Sequence, residues 1–115
     1  MAAGLAIGCS SSPGRIDTTV GEALFTGESL GGLQGCGGCH SVTSRASVGG
    51  PLLLGIGSRA GSRVDGLDAD DYLRQSIVAP TAYLAAGWGP GMPAYGHVLT
   101  TAQVDALVDY LLSLR

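Results

Sequence analysis

The sequence contains no lysine, and this absence restricts the partners that the protein can attract. All six basic residues are arginine, nine residues are acidic, and the formal net charge is −3 with neutral histidines. The chain therefore has no strongly basic character that could steer it to nucleic acid or to an anionic membrane. Nor does any apolar run approach the roughly 20 residues that a membrane-spanning helix needs.

Aromatic residues are scarce as well, whereas glycine is abundant. The 115 residues include 20 glycines but only one Phe, one Trp and four Tyr. Large rigid side chains are therefore few, and the backbone entropy lost on folding is high. The length corresponds to one small domain, near the size at which a single core becomes adequate.

Cysteine is rare too, but two of the three cysteines stand in the run Cys36-Gly37-Gly38-Cys39-His40. A Cys-x-x-Cys-His run is the covalent attachment site of a c-type haem. The two thiols can form thioethers to the vinyl groups of the porphyrin, and the adjacent imidazole is then held under the iron as a ligand. We predict one covalent haem c. Because its apolar plate would supply the missing core, we expect the apoprotein to be poorly folded.

A Cys-x-x-Cys pair also occurs in redox dithiols and in zinc sites. A structural zinc site needs four protein ligands, and outside this pentapeptide the chain offers only Cys9 and His97. We therefore favour haem attachment over both alternatives.

Cys9 is the third cysteine, and its surroundings resemble the processing site of bacterial lipoproteins. It follows the apolar stretch Leu5-Ala6-Ile7 and the small residue Gly8, as does the cysteine that is lipidated in those proteins. Only eight residues precede it, whereas an export signal has about 15–30. We interpret residues 1–18 as a truncated leader followed by a flexible tether, and 19–115 as the folded domain. The alternative is an unmodified thiol in a disordered leader.

Three helices are predicted from their capping residues. Thr19 followed by Glu22 predicts a capping box that opens a short helix, which Gly27 ends. Asp68 is the predicted N-cap of a middle helix, which ends at Ala79 before a proline. The inward-facing residues of this helix are predicted to be Leu73, Ser76 and Ile77.

The last helix has the clearest pattern. Thr100 and Gln103 form a second capping box. The apolar stripe that follows has the i, i+3, i+4, i+7 spacing and consists of Val104, Leu107, Val108 and Leu111. The segments 28–35, 41–66 and 81–97 are interpreted as loops, and no strand is predicted.

A second iron ligand is predicted at Met92, which is the only methionine besides Met1. It lies in a loop between Pro90 and Pro93, which restrict the backbone. A lone methionine is more often core filler, but this one is in a loop and not on an apolar stripe, and a thioether opposite a histidine is a known pair of axial ligands of haem iron. His97 is the competing ligand, and we interpret it as a loop histidine.

From about Thr19 to Arg115 the chain resembles class I cytochromes c. The resemblance implies an all-α fold of three to four short helices and long loops wrapped round a covalent haem. It also implies that the first helix crosses the last through four residues, which here are Gly21, Phe25, Leu107 and Tyr110.

The same resemblance implies further contacts of the haem. Gly49-Gly50-Pro51-Leu52 is similar to a family stretch in which the proline carbonyl accepts a hydrogen bond from the proximal histidine. Pro51 would thereby orient His40. The candidates for contacts with the haem propionates or the pocket are Arg59, Arg63, Tyr83 and Trp88.

The C-terminal half is most similar to cytochrome c domains of haem–copper oxidase subunit II and to lipoprotein cytochromes of quinol-oxidising complexes, in the stretches Asp70 to Arg74, Met92 to Tyr95 and Leu111 to Leu114. Together with the surroundings of Cys9, this similarity implies a single-electron carrier, not an enzyme, that is lipid-anchored on the periplasmic side of a bacterial membrane. It would pass electrons from a quinol-oxidising complex to an acceptor such as an oxidase, with no small-molecule substrate. The alternatives are a fixed haem subunit of a membrane complex, or a haem peroxidase or gas sensor with His97 as the distal group.

Overall fold

The computed structural model of the protein describes residues 17–43 and 49–115. Cys9 and most of the predicted leader and tether lie outside the described residues, as does part of the loop predicted at 41–66. The described residues form four α-helices, four short 3-10 turns and one two-stranded hairpin. This mostly helical arrangement with long loops confirms the predicted fold class.

The first helix, α1, spans Thr19–Thr26 and is followed by Gly27, as predicted. The capping box predicted at Thr19 is wrong, because Thr18 is the N-cap and its side chain makes no capping hydrogen bond. The Asp17 carboxylate instead accepts hydrogen bonds from the Thr19 amide at 3.0 Å and from its hydroxyl at 2.6 Å. An aspartate two residues upstream thus takes the donors at the start of the helix.

The caps of the two longer helices were predicted correctly. Helix α3 spans Ala69–Val78, and its N-cap Asp68 accepts a hydrogen bond from the Asp71 amide at 2.8 Å. Helix α4 spans Thr101–Leu112 and begins with the predicted capping box. Thr100 Oγ1 accepts from the Gln103 amide at 3.1 Å, and Gln103 Oε1 accepts from the Thr100 amide at 2.8 Å. All four residues of the predicted apolar stripe of α4 are buried.

A short hairpin and a short helix lie in segments that we predicted to be loops. Strands β1 (Ser29–Leu30) and β2 (Leu33–Gln34) pair antiparallel across a Gly-Gly turn with positive φ at both residues. Helix α2 spans Ile56–Arg59 and continues into a 3-10 turn at Ala60–Ser62. The Gly57 amide of α2 donates to the Leu114 carbonyl at 2.7 Å. Elements of two to four residues are too short to show a period, and α2 is held by contacts with the C-terminal segment.

Helix α1 crosses α4 through the residues that the resemblance implied. A Cβ atom on Gly21 would stand 2.1 Å from the Ala106 carbonyl oxygen and 2.6 Å from Tyr110 Cβ, so the backbones meet where α1 has no side chain. The rings of Phe25 and Tyr110 pack with their centroids 5.7 Å apart at an interplanar angle of 54°, a tilted aromatic contact. Leu107 is 1% exposed at this crossing.

The helices of the structure are short compared with the roughly 20 residues that cross a bilayer. The longest helix in the described part of the chain is α4, with 12 residues. None of the helices in residues 17–43 and 49–115 combines the length and the apolar composition that crossing a bilayer requires.

The α1–α4 crossing generates a prediction for Gly21→Ala. The added methyl group would collide with the Ala106 carbonyl, so the two helices would have to move apart. We expect the free energy of unfolding of the haem-loaded protein to fall by about 1–3 kcal/mol, the usual cost of overpacking. The measurement is denaturant unfolding followed by circular dichroism.

The matched control is Gly27→Ala, one residue beyond the same helix. A Cβ atom there would have its nearest neighbours at 3.5–3.7 Å, which is ordinary contact, and Gly27 has a φ of −65°. We expect a change within about 0.5 kcal/mol. Equal losses for the two variants would contradict close packing at Gly21 as the cause.

Candidate functional site

A cavity of about 500 Å³ lies between the Cys-x-x-Cys-His run, α3, α4 and the loop that contains Met92. This volume is within the range of roughly 300–1,000 Å³ that ligand sites occupy. Its apolar wall comes from buried side chains of several elements, among them Phe25, Ile56, Leu73, Ile77, Leu107 and Leu111. The buried face of α3 and half of the apolar stripe of α4 therefore face this cavity.

The attachment run enters the cavity wall as a tight turn. Cys36–Gly38 form a 3-10 turn, which is continued by hydrogen bonds from the Cys39 and His40 amides to the Cys36 carbonyl at 3.2 and 3.0 Å. Both cysteines are half-buried, carry free thiols and line the cavity together with His40. The turn thus brings the two thiols and the imidazole to one wall.

The protonation of Cys36 bears on the redox-dithiol alternative. Burial raises the pKa of the Cys36 thiol to about 11, so that the thiol is protonated near neutral pH. Reactive dithiols have thiols with lowered pKa values in electropositive surroundings. The environment of Cys36 raises the pKa of its thiol instead of lowering it, and so does not favour thiol–disulfide exchange.

His40 is oriented by the backbone of a distant segment. Its Nδ1 atom lies 2.7 Å from the Pro51 carbonyl oxygen. Because a carbonyl can only accept, Nδ1 carries the proton and Nε2 of the neutral ring keeps its lone pair for a metal. The hydrogen bond implied for Pro51 is therefore present.

Glycine allows this approach of the Pro51 segment to the imidazole. A Cβ atom on Gly50 would stand 2.7 Å from His40 Cε1, and one on Gly49 would stand 2.9 Å from Cys39 Sγ. The Gly49-Gly50 pair therefore lets the chain pass directly over the attachment run.

Met92 lines the same cavity and is half-buried. The competing residue His97 is exposed and is not among the described residues that line the cavity. The structure thus brings Met92 and His40, the two predicted ligands, to one cavity. His97 lies elsewhere.

The four candidates for propionate or pocket contacts separate into two groups. Arg63, Tyr83 and Trp88 line the cavity, and Arg63 and Trp88 also line a smaller recess beside it. Arg59 is not among the lining residues. Its guanidinium donates to the Leu54 carbonyl and, at 3.2 Å, to the Leu52 carbonyl. Arg59 thus stabilises the loop before α2. The structure does not support the predicted contact between Arg59 and a haem propionate.

Tyr72 is a lining residue that the sequence interpretation missed. It is buried on α3, lines the cavity and meets Tyr83 edge-on, with ring centroids 5.9 Å apart and an interplanar angle of 73°. The signal that could have found it is helical spacing, because Tyr72 is four residues before Ser76 on the inward face.

The cavity has little charge. Among the described residues that line it, none is Asp or Glu, and Arg63 is the only Arg. An apolar wall and one cationic side chain suit a flat apolar ligand that carries carboxylates.

The residues present therefore fit a covalently attached haem. Two thiols, an imidazole with a free Nε2 lone pair and a thioether converge on one largely apolar cavity. These are the attachment and ligand groups of haem proteins with His/Met ligation. No group of three or more His, Cys, Asp or Glu side chains that could hold a metal ion occurs within residues 17–43 and 49–115.

Comparison with known proteins gives one result at the level of the family. No curated protein and no solved structure matches the chain. The family model described as Cytochrome c matches residues 20–115, which are more than four fifths of the sequence. Cytochrome c domains carry covalent haem c, usually one per domain, serve in electron transfer and are typically extracytoplasmic. The chain belongs to the cytochrome c family.

Proposed function

We propose that the protein is a single-electron carrier whose haem iron is ligated by His40 and Met92. The observation that carries this proposal is that both side chains line one cavity with the two thiols of the attachment run. When bound, the haem supplies a one-electron couple between ferric and ferrous iron.

The chain supports this role by holding its ligands in place. The Pro51 carbonyl accepts the Nδ1 proton of His40, which keeps the ring oriented and makes Nε2 a stronger donor. The apolar walls from α3 and α4 keep water away from the site. The Met92 thioether would give a higher potential than a second imidazole.

The distribution of charge supports docking through the cavity mouth. The segments 29–43, 49–58 and 79–104, which supply most of the cavity wall, contain no Asp, Glu, Lys or Arg. One of these segments also places three large side chains in the cavity wall, namely Tyr83, Leu84 and Trp88. Docking there would depend on small apolar contacts more than on electrostatic steering.

For partners we propose membrane redox complexes, namely a quinol-oxidising donor and an oxidase-type acceptor. This part of the proposal rests on the resemblance of the C-terminal half and not on a contact in the structure. A haem module fixed inside such a complex would use the same ligands. A peroxidase or gas sensor would need a distal acid or base in the cavity, and the exposed position of His97 does not favour that function.

We further propose that a lipid on Cys9 anchors the protein on the periplasmic side of a bacterial membrane. Asp17 and Thr18 are fixed at the start of α1, so the tether comprises the seven residues Ser10 to Ile16, most of which are small or polar. A coil of that length would span about 13–16 Å. Such a reach permits reorientation between neighbouring complexes but not free diffusion.

The first prediction from this proposed function is that Cys36 and Cys39 each form a thioether to haem. After acid-acetone extraction and denaturation, we expect the mass of the polypeptide to include one haem. Cys9→Ser serves as the control, because it should keep the same added mass. Extraction of the haem into the organic phase would contradict covalent attachment.

The second prediction concerns Met92→Ala. Haem should remain attached, the potential should fall by on the order of 0.1 V within the roughly 0.8 V range that axial ligands set, and carbon monoxide should bind the ferrous iron. Met92→His is the matched variant and should remain six-coordinate. An Ala variant that kept its native spectrum and refused carbon monoxide would show that Met92 is not the ligand.

The third prediction concerns the anchor. Expressed behind a complete export signal, the wild-type protein should be found in the membrane fraction, and Cys9→Ser should be found in the soluble periplasmic fraction with an unchanged haem spectrum. Mass spectrometry should show lipid on Cys9 in the wild type. A soluble wild-type protein with an unmodified Cys9 would indicate a diffusible carrier.

A further inference from the structure

Tyr95 connects two distant segments of the site. The residue is 3% exposed, and its hydroxyl donates a hydrogen bond to the Gln34 carbonyl. Gln34 ends strand β2, two residues before Cys36, and Tyr95 is three residues after Met92. The Tyr95 hydroxyl therefore links the segment that follows Met92 to the strand that precedes the attachment run.

The chain on the C-terminal side of Met92 is held by backbone hydrogen bonds and by close approaches at two glycines. Tyr95–His97 form a 3-10 turn, and the Val98 and Leu99 amides both donate to the Tyr95 carbonyl, at 3.1 and 3.0 Å. A Cβ atom on Gly96 would stand 2.8 Å from Val78 Cγ1, and one on Gly31 would stand 2.6 Å from Val98 Cβ. This turn is thus held between α3 and the β1–β2 hairpin.

The chain on the N-terminal side of Met92 is different. The polypeptide itself buries none of residues 81–91: Ala85 is half-buried, Tyr83 packs on Tyr72, and the nearest residue before Met92 that the polypeptide buries is Pro80. Within this segment the Trp88 and Gly91 amides bond only to nearby carbonyls, those of Ala85 and Gly89. A stretch of twelve residues can extend roughly 40 Å, whereas the three residues from Met92 to Tyr95 can extend only about 11 Å.

We propose that Tyr95 is a positioning residue that holds Met92 within reach of the haem iron. Its hydroxyl ties the short segment that follows Met92 to the strand that leads into the attachment run. The inference rests on the proposed ligation by Met92. It adds a reason why the Met92 side chain stays close to the iron. Loss of the hydroxyl alone should therefore shift the equilibrium from bound towards displaced thioether while the ring continues to fill its place.

The test is imidazole binding to the ferric, haem-loaded protein, because imidazole competes with the thioether for the iron. One net hydrogen bond corresponds to roughly 2- to 10-fold in an equilibrium constant. We expect Tyr95→Phe to bind imidazole tighter by up to that factor, because the segment can leave its place only when both the hydrogen bond and the iron bond are absent. We also expect it to lose the thioether-to-iron charge-transfer band at a correspondingly lower imidazole concentration.

Tyr110→Phe is the matched control. Tyr110 is similarly buried, but it packs on Phe25 at the α1–α4 crossing and is not among the cavity-lining residues. Its variant should bind imidazole as the wild type does. Unchanged binding in Tyr95→Phe, or equal changes in both variants, would overturn the role of Tyr95 and leave the ligation intact. Absence of the charge-transfer band from the wild type would overturn the ligation and, with it, the inference.

If Tyr95→Phe does not fold or does not attach haem, a measurement on the wild-type protein tests the same proposal. With Met92 displaced by saturating imidazole, amide hydrogen exchange at Val98 and Leu99 should stay within about 3-fold of the imidazole-free rates, as expected for a segment whose local stability does not depend on the iron bond. Exchange that accelerates at these two amides when imidazole binds would show that the iron bond holds the segment in place. That result would overturn the proposal.

Discussion

The crossing of α1 over α4 is the contact on which the rest of the structure depends. It requires a residue without a side chain at Gly21, because the Ala106 carbonyl occupies the space of a Cβ atom. Phe25 and Leu107 belong both to this crossing and to the cavity wall. The crossing therefore determines the positions of two side chains in the cavity wall. In a chain with six aromatic residues, two are used here.

The functional groups themselves come from short turns and loops that the helices support. The thiols and the imidazole lie on one 3-10 turn and its continuation, and the partner of the imidazole is a backbone carbonyl, that of Pro51. A carbonyl cannot donate, so it determines the tautomer of His40 without a further side chain. Backbone groups thus do much of the positioning in this glycine-rich protein.

Local patterns predicted a large part of the fold and of the site. The N-caps Asp68 and Thr100 and the apolar stripe of α4 depend on residues within a turn or two of one another, and the structure has all of them. The cap at Thr19 was wrong because the Thr19 amide donates to the upstream Asp17 carboxylate and the Glu22 amide donates to the Thr18 carbonyl. The hairpin and α2 were missed because elements of two to four residues have no period, and their stability comes from contacts with distant segments.

Sequence alone determined the chemistry of this protein: the haem-attachment run, the lone methionine in a proline-bounded loop, and membership of a helical haem family. These features follow from residue identity and close spacing, which need no knowledge of the folded chain. Only the tertiary structure decided that Arg63 lines the cavity while Arg59 holds a loop, and that Tyr95 reaches Gln34. Such assignments depend on which distant segments meet, and spacing along the chain does not encode the path that brings them together.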